Sequence, residues 1–292
     1  MVRTLESARR NLGFVAALVV SHLVAIRPAV ADEKPGTFRV VAYNVYECTG
    51  WPKDRARAHV ATAKGQMPAR FAQELELYDP DLINFSESPR EEVVADIARR
   101  LKMNYVFLPS GGKWPGAILT RCEIVASRKA TELVPAADKT LFTRHWGMAE
   151  LRRPDGKRII VHSAHLHPSD DAVRQREVAT MLEVMKPDLA AGREMILMGD
   201  LNHEPSRPEY RQWLQGGWTD GFQPTDERPG VTFMGDDLKR RIDYVFAAGP
   251  LAKSVVESRP LFEGEFRVNP SDPADFALSD HLPQLCVFRL DP

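Results

Sequence analysis

Apolar residues recur along this chain with two periods, one typical of strands and one typical of helices. Residues 38–43 are rich in β-branched and aromatic side chains and predict a strand that ends at Asn44. From Glu91 to Leu101 the apolar residues fall on one stripe of a helix. The same two patterns predict strands at 81–85, 105–108, 117–120, 123–126, 148–151, 158–164, 195–198, 242–247 and 284–290, and helices at 69–77 and 171–185.

The order of these elements predicts the fold class. Strands and helices alternate at first, a series of shorter strands follows, and the alternation then returns. Asp155-Gly156 is a strong hairpin turn signal between two of the shorter strands. Pro68 divides a stretch of helical composition over residues 55–79, which predicts a loop or short helix before Pro68 and the helix at 69–77 after it. We therefore predict a layered α/β sandwich that forms one domain over residues 32–292.

The first 31 residues have the pattern of an export signal. Three arginines precede an apolar run over residues 12–26, and Ala29-Val30-Ala31 supplies small residues for cleavage. Arg27 and Pro28 end this run before it reaches the roughly 20 residues that a membrane span needs. We predict a cleaved signal peptide at 1–31 and a periplasmic or secreted protein with no remaining transmembrane segment. The pair Arg9-Arg10 leaves twin-arginine export open.

Charge bears on nucleic-acid binding, and the cysteines bear on disulfide pairing. Removing residues 1–31 takes away four basic and one acidic side chain, which leaves 35 basic against 39 acidic and a formal charge of −4. Nucleic-acid-binding domains are usually basic, so this balance argues against a broad electrostatic contact with nucleic acid and leaves a local basic groove open. Cys286 is predicted to be a buried apolar residue, and the scattered cysteines leave a Cys48–Cys122 disulfide open.

Polar side chains with catalytic potential follow the predicted strands. Two amides, four carboxylates and two imidazoles stand where apolar runs meet loops, at Asn44, Glu87, His165, Asp200, Asn202, Asp243, Asp280 and His281. Such loops at strand ends often carry ligand-binding groups. Oxygen ligands suit Mg²⁺ or Mn²⁺ together with phosphate oxygens, whereas few histidines and no paired cysteines argue against a closed zinc site. The set favours Mg²⁺ or Mn²⁺ as cofactor and a phosphate ester as substrate.

Five motifs in order make the chain resemble the endonuclease/exonuclease/phosphatase superfamily, which includes deoxyribonucleases, apurinic endonucleases, inositol-polyphosphate phosphatases and neutral sphingomyelinases. The motifs are Tyr43-Asn44, Glu87 after Ile83-Asn84-Phe85-Ser86, Ser163-Ala164-His165-Leu166, Gly199-Asp200-Leu201-Asn202, and Ser279-Asp280-His281, with Asp243 between the last two. Each motif alone is weak, but their order and spacing are specific. The resemblance covers Phe38 to Leu290 and implies a four-layer α/β sandwich of two packed mixed sheets flanked by helices.

The resemblance also implies which residues bind a metal. Glu87 would be the principal ligand, and Asn44 and Asp280 would lie close to the metal or its waters. Taken singly, these residues also fit structural roles, because Asn44 could end a strand in a turn and Glu87 could precede the helix at Glu91. The ordered set of motifs favours the metal site over these alternatives.

The remaining motif residues would form the catalytic set. His281, oriented by Asp243, would activate the attacking water or hold the phosphate, and Asp200 is the rival general base. Asn202 would bind the phosphoryl oxygens or position the nucleophile, and His165 would donate to the phosphate and stabilise the transition state. Alone, Asp280-His281 could be a simple turn, and Asp200-Leu201-Asn202 could cap a loop.

Loops at the predicted rim would choose the substrate, as they do in this superfamily. We predict substrate contacts for Lys113, Trp114, His145 and His203, with an ordinary loop position as the alternative for His203. His162 lies on the opposite strand face from His165 and is predicted to be buried.

The resemblance implies an enzyme, and we predict a divalent-metal-dependent phosphoric ester hydrolase. A phosphodiesterase of the nuclease or phospholipase C/sphingomyelinase type is preferred on family grounds. A phosphomonoesterase of the inositol-phosphatase type and a catalytically silent module that binds a phosphorylated ligand are the alternatives. The substrate class stays open among nucleic acid, a phospholipid headgroup and a sugar phosphate, and the protein is expected to be a monomer.

Overall fold

Two mixed sheets pack face to face in the computed structural model, which describes residues 36–224, 230–234 and 237–290. The strands within these ranges are β1 (Thr37–Asn44), β2 (Leu82–Ser86), β3 (Asn104–Leu108), β4 (Gly116–Thr120), β5 (Glu123–Lys129), β6 (Trp146–Arg152), β7 (Arg158–Ala164), β8 (Met195–Asp200), β9 (Thr219–Asp220), β10 (Asp243–Ala248), β11 (Val255–Pro260) and β12 (Gln284–Arg289). The α-helices in the same ranges are α1 (Ala56–Ala63), α2 (Met67–Glu76), α3 (Glu91–Leu101), α4 (Ala130–Leu133), α5 (Asp171–Ala190) and α6 (Pro208–Gln215).

The two sheets have six strands each. Sheet A has the strand order β11-β12-β1-β2-β4-β3, and sheet B has the order β5-β6-β7-β8-β10-β9. Parallel pairing joins β1 to β2 and β7 to β8, and antiparallel pairing joins the other neighbours. This architecture confirms the expected pair of mixed sheets.

Alternation along β1 shows how the layers form. Val41 and Tyr43 belong to the apolar cluster between sheet A and helices α1, α2 and α3, whereas Val40 and Ala42 belong to the cluster between the two sheets. Sheet B buries its outer face against α5 and α6, through residues such as Met181 and Trp213. The result is the predicted four-layer sandwich, in which helices cover both sheets.

The strand registers bring the polar loop residues to one end of the sandwich. Asn44 at the end of β1 pairs with Ser86 at the end of parallel β2. In sheet B, Asp200 at the end of β8 pairs with Asp243 at the start of antiparallel β10. Strand β12 runs antiparallel to β1 with Gln284 opposite Ala42, so the loop before β12 lies at the same end.

Most predicted elements are confirmed, and the differences have physical reasons. Helix α5 runs five residues beyond its predicted end and includes Pro187, because Leu189 continues the face that packs on the apolar core. Helix α6 was missed, although Pro208 at its first turn is a helix-start signal. Strand β11 was missed because it is an edge strand with an exposed surface and little apolar alternation.

The next predictions concern the three cysteines, the signal peptide and membrane-spanning segments. Cys48, Cys122 and Cys286 are buried free thiols, as expected for Cys286 and against a Cys48–Cys122 disulfide. The signal peptide predicted at 1–31 lies outside the described residues. No helix in the described part of the chain has the length and apolar character that a membrane span needs.

A buried ion pair joins α5 to α6. Arg174 Nε donates to Glu209 Oε1 at 2.9 Å, both side chains are buried, and Arg174 Nη1 donates to the carbonyl of His167. We expect Glu209→Ala to lower the free energy of unfolding in urea by about 3 kcal/mol, because it leaves a buried charge without its main partner. Glu183→Ala removes the exposed partner of Lys186 and should change it by less than about 1 kcal/mol. Equal effects of the two substitutions would contradict this account.

Candidate active site

Polar residues from the two sheets meet at the end of the sandwich where their strands finish. Asn44 Nδ2 of sheet A donates to Asp200 Oδ2 of sheet B at 3.0 Å, and both side chains are buried. The backbone N–H of Asp200 also donates to Ser86 Oγ at 3.3 Å. These bonds between the sheets place motifs that are far apart in the sequence in one site.

Asp243 and His281 form a buried hydrogen-bonded pair in this site. His281 Nδ1 lies 2.9 Å from Asp243 Oδ2, and the ring of Phe233 packs on the imidazole with 4.6 Å between centroids. Burial by itself would lower the pKa of His281, but Asp243, with help from Asp200 and Asp280, outweighs this effect and raises the pKa to about 10. The ring is therefore an imidazolium near neutral pH, with Nδ1 donating to Asp243.

Asp200 lies at the centre of the site. Its Oδ2 accepts from Asn44 and lies 3.4 Å from His165 Nε2 and 3.8 Å from His281 Nε2. Its Oδ1 accepts the backbone N–H of Asn202 at 3.1 Å. Burial and, after it, the negative charge of Asp243 raise the pKa of Asp200, while His281 and the Asn44 amide oppose the rise. A carboxylate with a raised pKa is a good proton acceptor, which fits a general base.

Glu87 and Asp280 lie beside each other toward the rim of the site. Burial raises the pKa of Glu87, and the charge of Asp280 adds to the rise, whereas the Asn44 amide and His281 oppose it. Burial also raises the pKa of Tyr46, with further contributions from Asp280 and Glu87. Glu87 has a φ of 49°, a rare left-handed conformation for a residue with a side chain. Such backbone strain is frequent at ligand-binding positions.

The oxygen atoms of this site suit a hard cation. The carboxylates of Asp200 and Asp243 and the imidazole of His281 offer ligand atoms within 4.8 Å of one another, but the last two already bind each other. Burial raises the pKa of both Glu87 and Asp280, the charge of Asp280 adds to the rise at Glu87, and a cation would offset these effects. Asn44 adds an amide oxygen. We therefore favour Glu87, Asp280 and Asn44 as the metal ligands. This assignment, like the other roles, stays a prediction.

A half-buried arginine completes the site beside His165. Arg144 Nε donates to His165 Nε2 at 2.9 Å, so the neutral His165 ring carries its proton on Nδ1. Burial, and then Arg144, lower the pKa of His165 well below its usual value. In this arrangement His165 Nε2 is an acceptor, and the guanidinium of Arg144 supplies the nearby N–H donors. The prediction that His165 donates to the phosphate therefore needs Arg144 to move.

A model of the Endonuclease/Exonuclease/phosphatase family matches residues 41–281, which is most of the chain. The chain belongs to this family. Family members are metal-dependent phosphoesterases, and the resemblance predicted from the five motifs is confirmed. Comparison with curated proteins finds no match.

Solved structures in the endonuclease/exonuclease/phosphatase family share the fold. A family protein from Bacteroides thetaiotaomicron superposes with a TM-score of 0.68 at 18% identity, covering 89% of this chain and 100% of its own. A mannosyl-6-phosphatase from Bacteroides thetaiotaomicron gives 0.65 at 18% identity, covering 85% and 98%. Truncated TDP2 from Caenorhabditis elegans gives 0.62 at 17% identity, covering 87% and 97%. At this identity the likeness shows the fold alone.

The rim residues predicted to contact substrate divide into two pairs. Lys113 is 68% exposed, and its ammonium lies 4.3 Å from the ring centroid of Trp114. His145 and His203 are buried, which does not fit a contact with substrate at the rim. His145 Nε2 lies 2.9 Å from Ser163 Oγ behind the site, and His203 Nε2 accepts from Trp213 Nε1 at 3.1 Å. Their sequence positions next to strand ends did not reveal that the rings point inward.

The structure also places two residues that the sequence singled out, Asn202 and His162, and one that it did not, Arg144. Asn202 has a φ of 53°, and its Nδ2 donates to the carbonyl of Leu166, so it holds the loop after His165. His162 is buried and accepts from Trp146 Nε1, as the strand parity predicted. Arg144 was missed, because a single arginine in a loop of mixed composition has no distinguishing pattern.

Glu177 of α5 anchors the loop that follows His165. Its Oε2 accepts the backbone N–H of His167 at 2.8 Å, and burial raises its pKa from 4.5 to about 8. The folded state therefore keeps a proton that the unfolded state loses above pH 4.5. The contribution of the protonated Glu177 to the free energy of unfolding is fully present below pH 4.5. It falls by about 1.4 kcal/mol per pH unit until the pH passes about 8.

Glu177→Gln should remove this pH dependence, because glutamine stays neutral. Urea unfolding at several pH values between 5 and 9 would give the free energy of unfolding of both proteins. We expect the difference, wild type minus variant, to fall steadily as the pH rises toward 8 and then to level off. A difference that stays constant over this range would contradict a buried protonated Glu177.

Proposed function

We propose that this chain is an exported hydrolase of phosphate esters that depends on a divalent metal and prefers phosphodiesters. The observation that carries the proposal is the position of Asp200. Its carboxylate binds Asn44 of the opposite sheet, faces the imidazoles of His165 and His281, and lies close enough to Glu87 for the two charges to interact. Export is supported by the signal pattern of residues 1–31.

The residues of the site suggest how water attacks phosphorus. Asp200 accepts a proton from the attacking water, because its pKa is raised and its Oδ2 faces the centre of the site. The His281 imidazolium, held by Asp243, donates from Nε2 to a phosphoryl oxygen. The terminal nitrogens of Arg144 donate to a second phosphoryl oxygen. The bond from phosphorus to the leaving oxygen breaks as the bond from the water oxygen forms. The leaving oxygen takes up a proton from solvent, and Asp200 releases to solvent the proton that it accepted from the water.

Mg²⁺ or Mn²⁺, held by Glu87, Asn44 and Asp280, would neutralise the charge that develops on the phosphate. The protein residues themselves orient the ester and exclude bulk water. Asn202 and Glu177 hold the loop of His165, and Phe233 covers one face of His281. The diester preference rests on the frequency of phosphodiesterases in the family, and the paired nitrophenyl substrates below test it.

Two alternative functions are a phosphomonoesterase and a catalytically silent binding module. A phosphomonoesterase is the second candidate, because one structural neighbour is named a mannosyl-6-phosphatase. A silent binding module is disfavoured, because Glu87, His165, Asp200 and His281 are all present and close together.

Release of p-nitrophenol separates these functions. With Mg²⁺ or Mn²⁺ we expect turnover of bis(p-nitrophenyl) phosphate above that of p-nitrophenyl phosphate, and no turnover of either in EDTA. Preference for the monoester would favour the phosphatase. Failure to hydrolyse either compound or any member of a panel of DNA, RNA, sphingomyelin and inositol phosphates would favour the binding module.

A further inference from the structure

A basic pocket lies directly beside the proposed catalytic centre. It has a volume of about 200 Å³ and is lined by the cations Lys129, Lys139 and Arg144 together with Ser110, Thr131 and Phe142. Arg144 is shared, because the same side chain donates to His165. The pocket and the proposed catalytic centre are therefore neighbours that share the Arg144 side chain.

The strand registers explain why this pocket lies at the catalytic end of the sandwich. Lys129 is the last residue of β5 and pairs with Gly147 at the start of β6. The neighbouring residue, Trp146, pairs with Ala164 just before His165. From the other sheet, Leu108 at the end of β3 pairs with Gly116, so residues 109–111 emerge at the same end. Two edge strands, one from each sheet, thus supply residues that line the pocket.

Two glycines let these walls come together. A Cβ at Gly111 would lie 2.5 Å from the carbonyl oxygen of Phe142, and a Cβ at Gly112 would lie 2.7 Å from that of Thr143. Real side chains do not tolerate such distances to backbone atoms. The loop after β3 therefore packs its bare backbone against the segment that carries Arg144, and this contact closes the pocket on one side.

The charge of the pocket calls for an anionic ligand. Lys129 has one carboxylate neighbour, Glu132 at 4.0 Å, in an exposed and therefore weak pair. Within the described ranges, no carboxylate lies within 4.0 Å of the Lys139 or Arg144 side-chain nitrogens. The mature chain is acidic overall, so three converging cations differ from the average surface. Lysine and arginine together with hydroxyl groups are common ligands of phosphate oxygens.

We propose that this pocket binds a second phosphate group of the substrate, next to the phosphate that is hydrolysed. The proposal rests on the proposed function, and it narrows the substrate to esters with at least two phosphates in one molecule. A phosphorylated oligonucleotide and a sugar bisphosphate both have this chemistry. The volume of the pocket fits one phosphate with its attached group rather than a long strand.

Binding of inorganic phosphate tests the pocket without any catalysis. In EDTA, the Tm of the wild type should rise with phosphate relative to chloride at equal ionic strength, because a ligand of the folded state stabilises it. Lys129→Ala/Lys139→Ala should lose most of this rise. Lys186→Ala is the matched control, since it removes an exposed lysine from the other end of α5. An undiminished rise in the double variant, or no rise in the wild type, would overturn the proposal.

Kinetics with paired substrates show whether the pocket serves the reaction. The pairs are thymidine dinucleotide with and without a 5′-phosphate, and glucose 1,6-bisphosphate against glucose 6-phosphate. In the pair that the enzyme prefers, nucleotide or sugar, the wild type should show a KM about tenfold lower for the substrate with the added phosphate. The double variant should show no such difference in KM. Turnover of bis(p-nitrophenyl) phosphate should be unchanged, because neither lysine contacts the catalytic set.

The possible failures are distinguishable. Normal turnover of bis(p-nitrophenyl) phosphate with no advantage in either pair overturns the second phosphate site and leaves the proposed function intact. Absence of all metal-dependent turnover overturns the proposed function, and the phosphate titration in EDTA then decides on the pocket alone.

Discussion

Replacing His281 with glutamine is expected to lower kcat for bis(p-nitrophenyl) phosphate by about 10³-fold. Glutamine retains some hydrogen bonding but carries no positive charge and cannot exchange a proton near neutral pH. The variant loses the imidazolium that Asp243 holds at 2.9 Å and that faces Asp200 at 3.8 Å. Loss of one acid-base or charge-stabilising group costs about 10²–10⁴-fold in such enzymes. Steady-state release of p-nitrophenol with saturating Mg²⁺ measures the effect.

His59→Gln is the matched control for this prediction. His59 lies on the exposed face of α1, in the layer outside sheet A, and the same change there should leave kcat within about twofold. Both variants should keep the wild-type circular dichroism spectrum. If His281→Gln retained more than about a tenth of the wild-type kcat, the imidazole would have no direct part in the reaction.

Replacing Glu87 with glutamine is expected to weaken Mn²⁺ binding by at least about 100-fold. Changing a residue that only orients a metal ligand already weakens metal affinity by about 10- to 100-fold, and Glu87 is the proposed principal ligand itself. Isothermal titration calorimetry with MnCl₂ measures the dissociation constant. Activity at a fixed, subsaturating Mn²⁺ concentration should fall in parallel and should recover in part at high Mn²⁺.

Stability in EDTA separates loss of the metal from loss of the fold. Glu87 is a largely buried carboxylate beside Asp280, so its neutralisation relieves repulsion and desolvation. The Tm of Glu87→Gln without metal should therefore equal or exceed that of the wild type. Glu76→Gln, on an exposed position of α2, should change neither the Tm nor Mn²⁺ binding. Unchanged Mn²⁺ affinity in Glu87→Gln would place the cation elsewhere.

The fold was predictable where burial leaves a regular pattern in the sequence. Strand β7 and helix α3 have the predicted bounds, because β7 is buried after its first residue and α3 has a clean apolar stripe. The edge strand β11 was missed because it faces solvent, and its pairing with β12 depends on residues that are close only in the folded chain. Local patterns cannot reveal such long-range pairing.

The site was predictable at the level of motifs and less so at the level of side-chain direction. Asn44, Asp200 and His281 meet as their motifs implied, because the strand registers carry the ends of β1 and β8 and the loop before β12 to one end of the sandwich. His145 and His203 stand next to strand ends but point into the core, and sequence position does not encode that choice. Arg144 gains its position from contacts with His165 and Trp114, which only the fold creates.

The most direct test of the account is the location of a bound cation and phosphate. Crystals grown with MnCl₂ and phosphate, measured above and below the manganese absorption edge, give an anomalous difference map that identifies Mn²⁺ without ambiguity. The account predicts a peak within ligand distance of Glu87 and next to Asp280 and Asn44, with a phosphate between that peak and His281. A manganese peak away from Glu87, or a phosphate that contacts neither His281 nor Arg144, would contradict it.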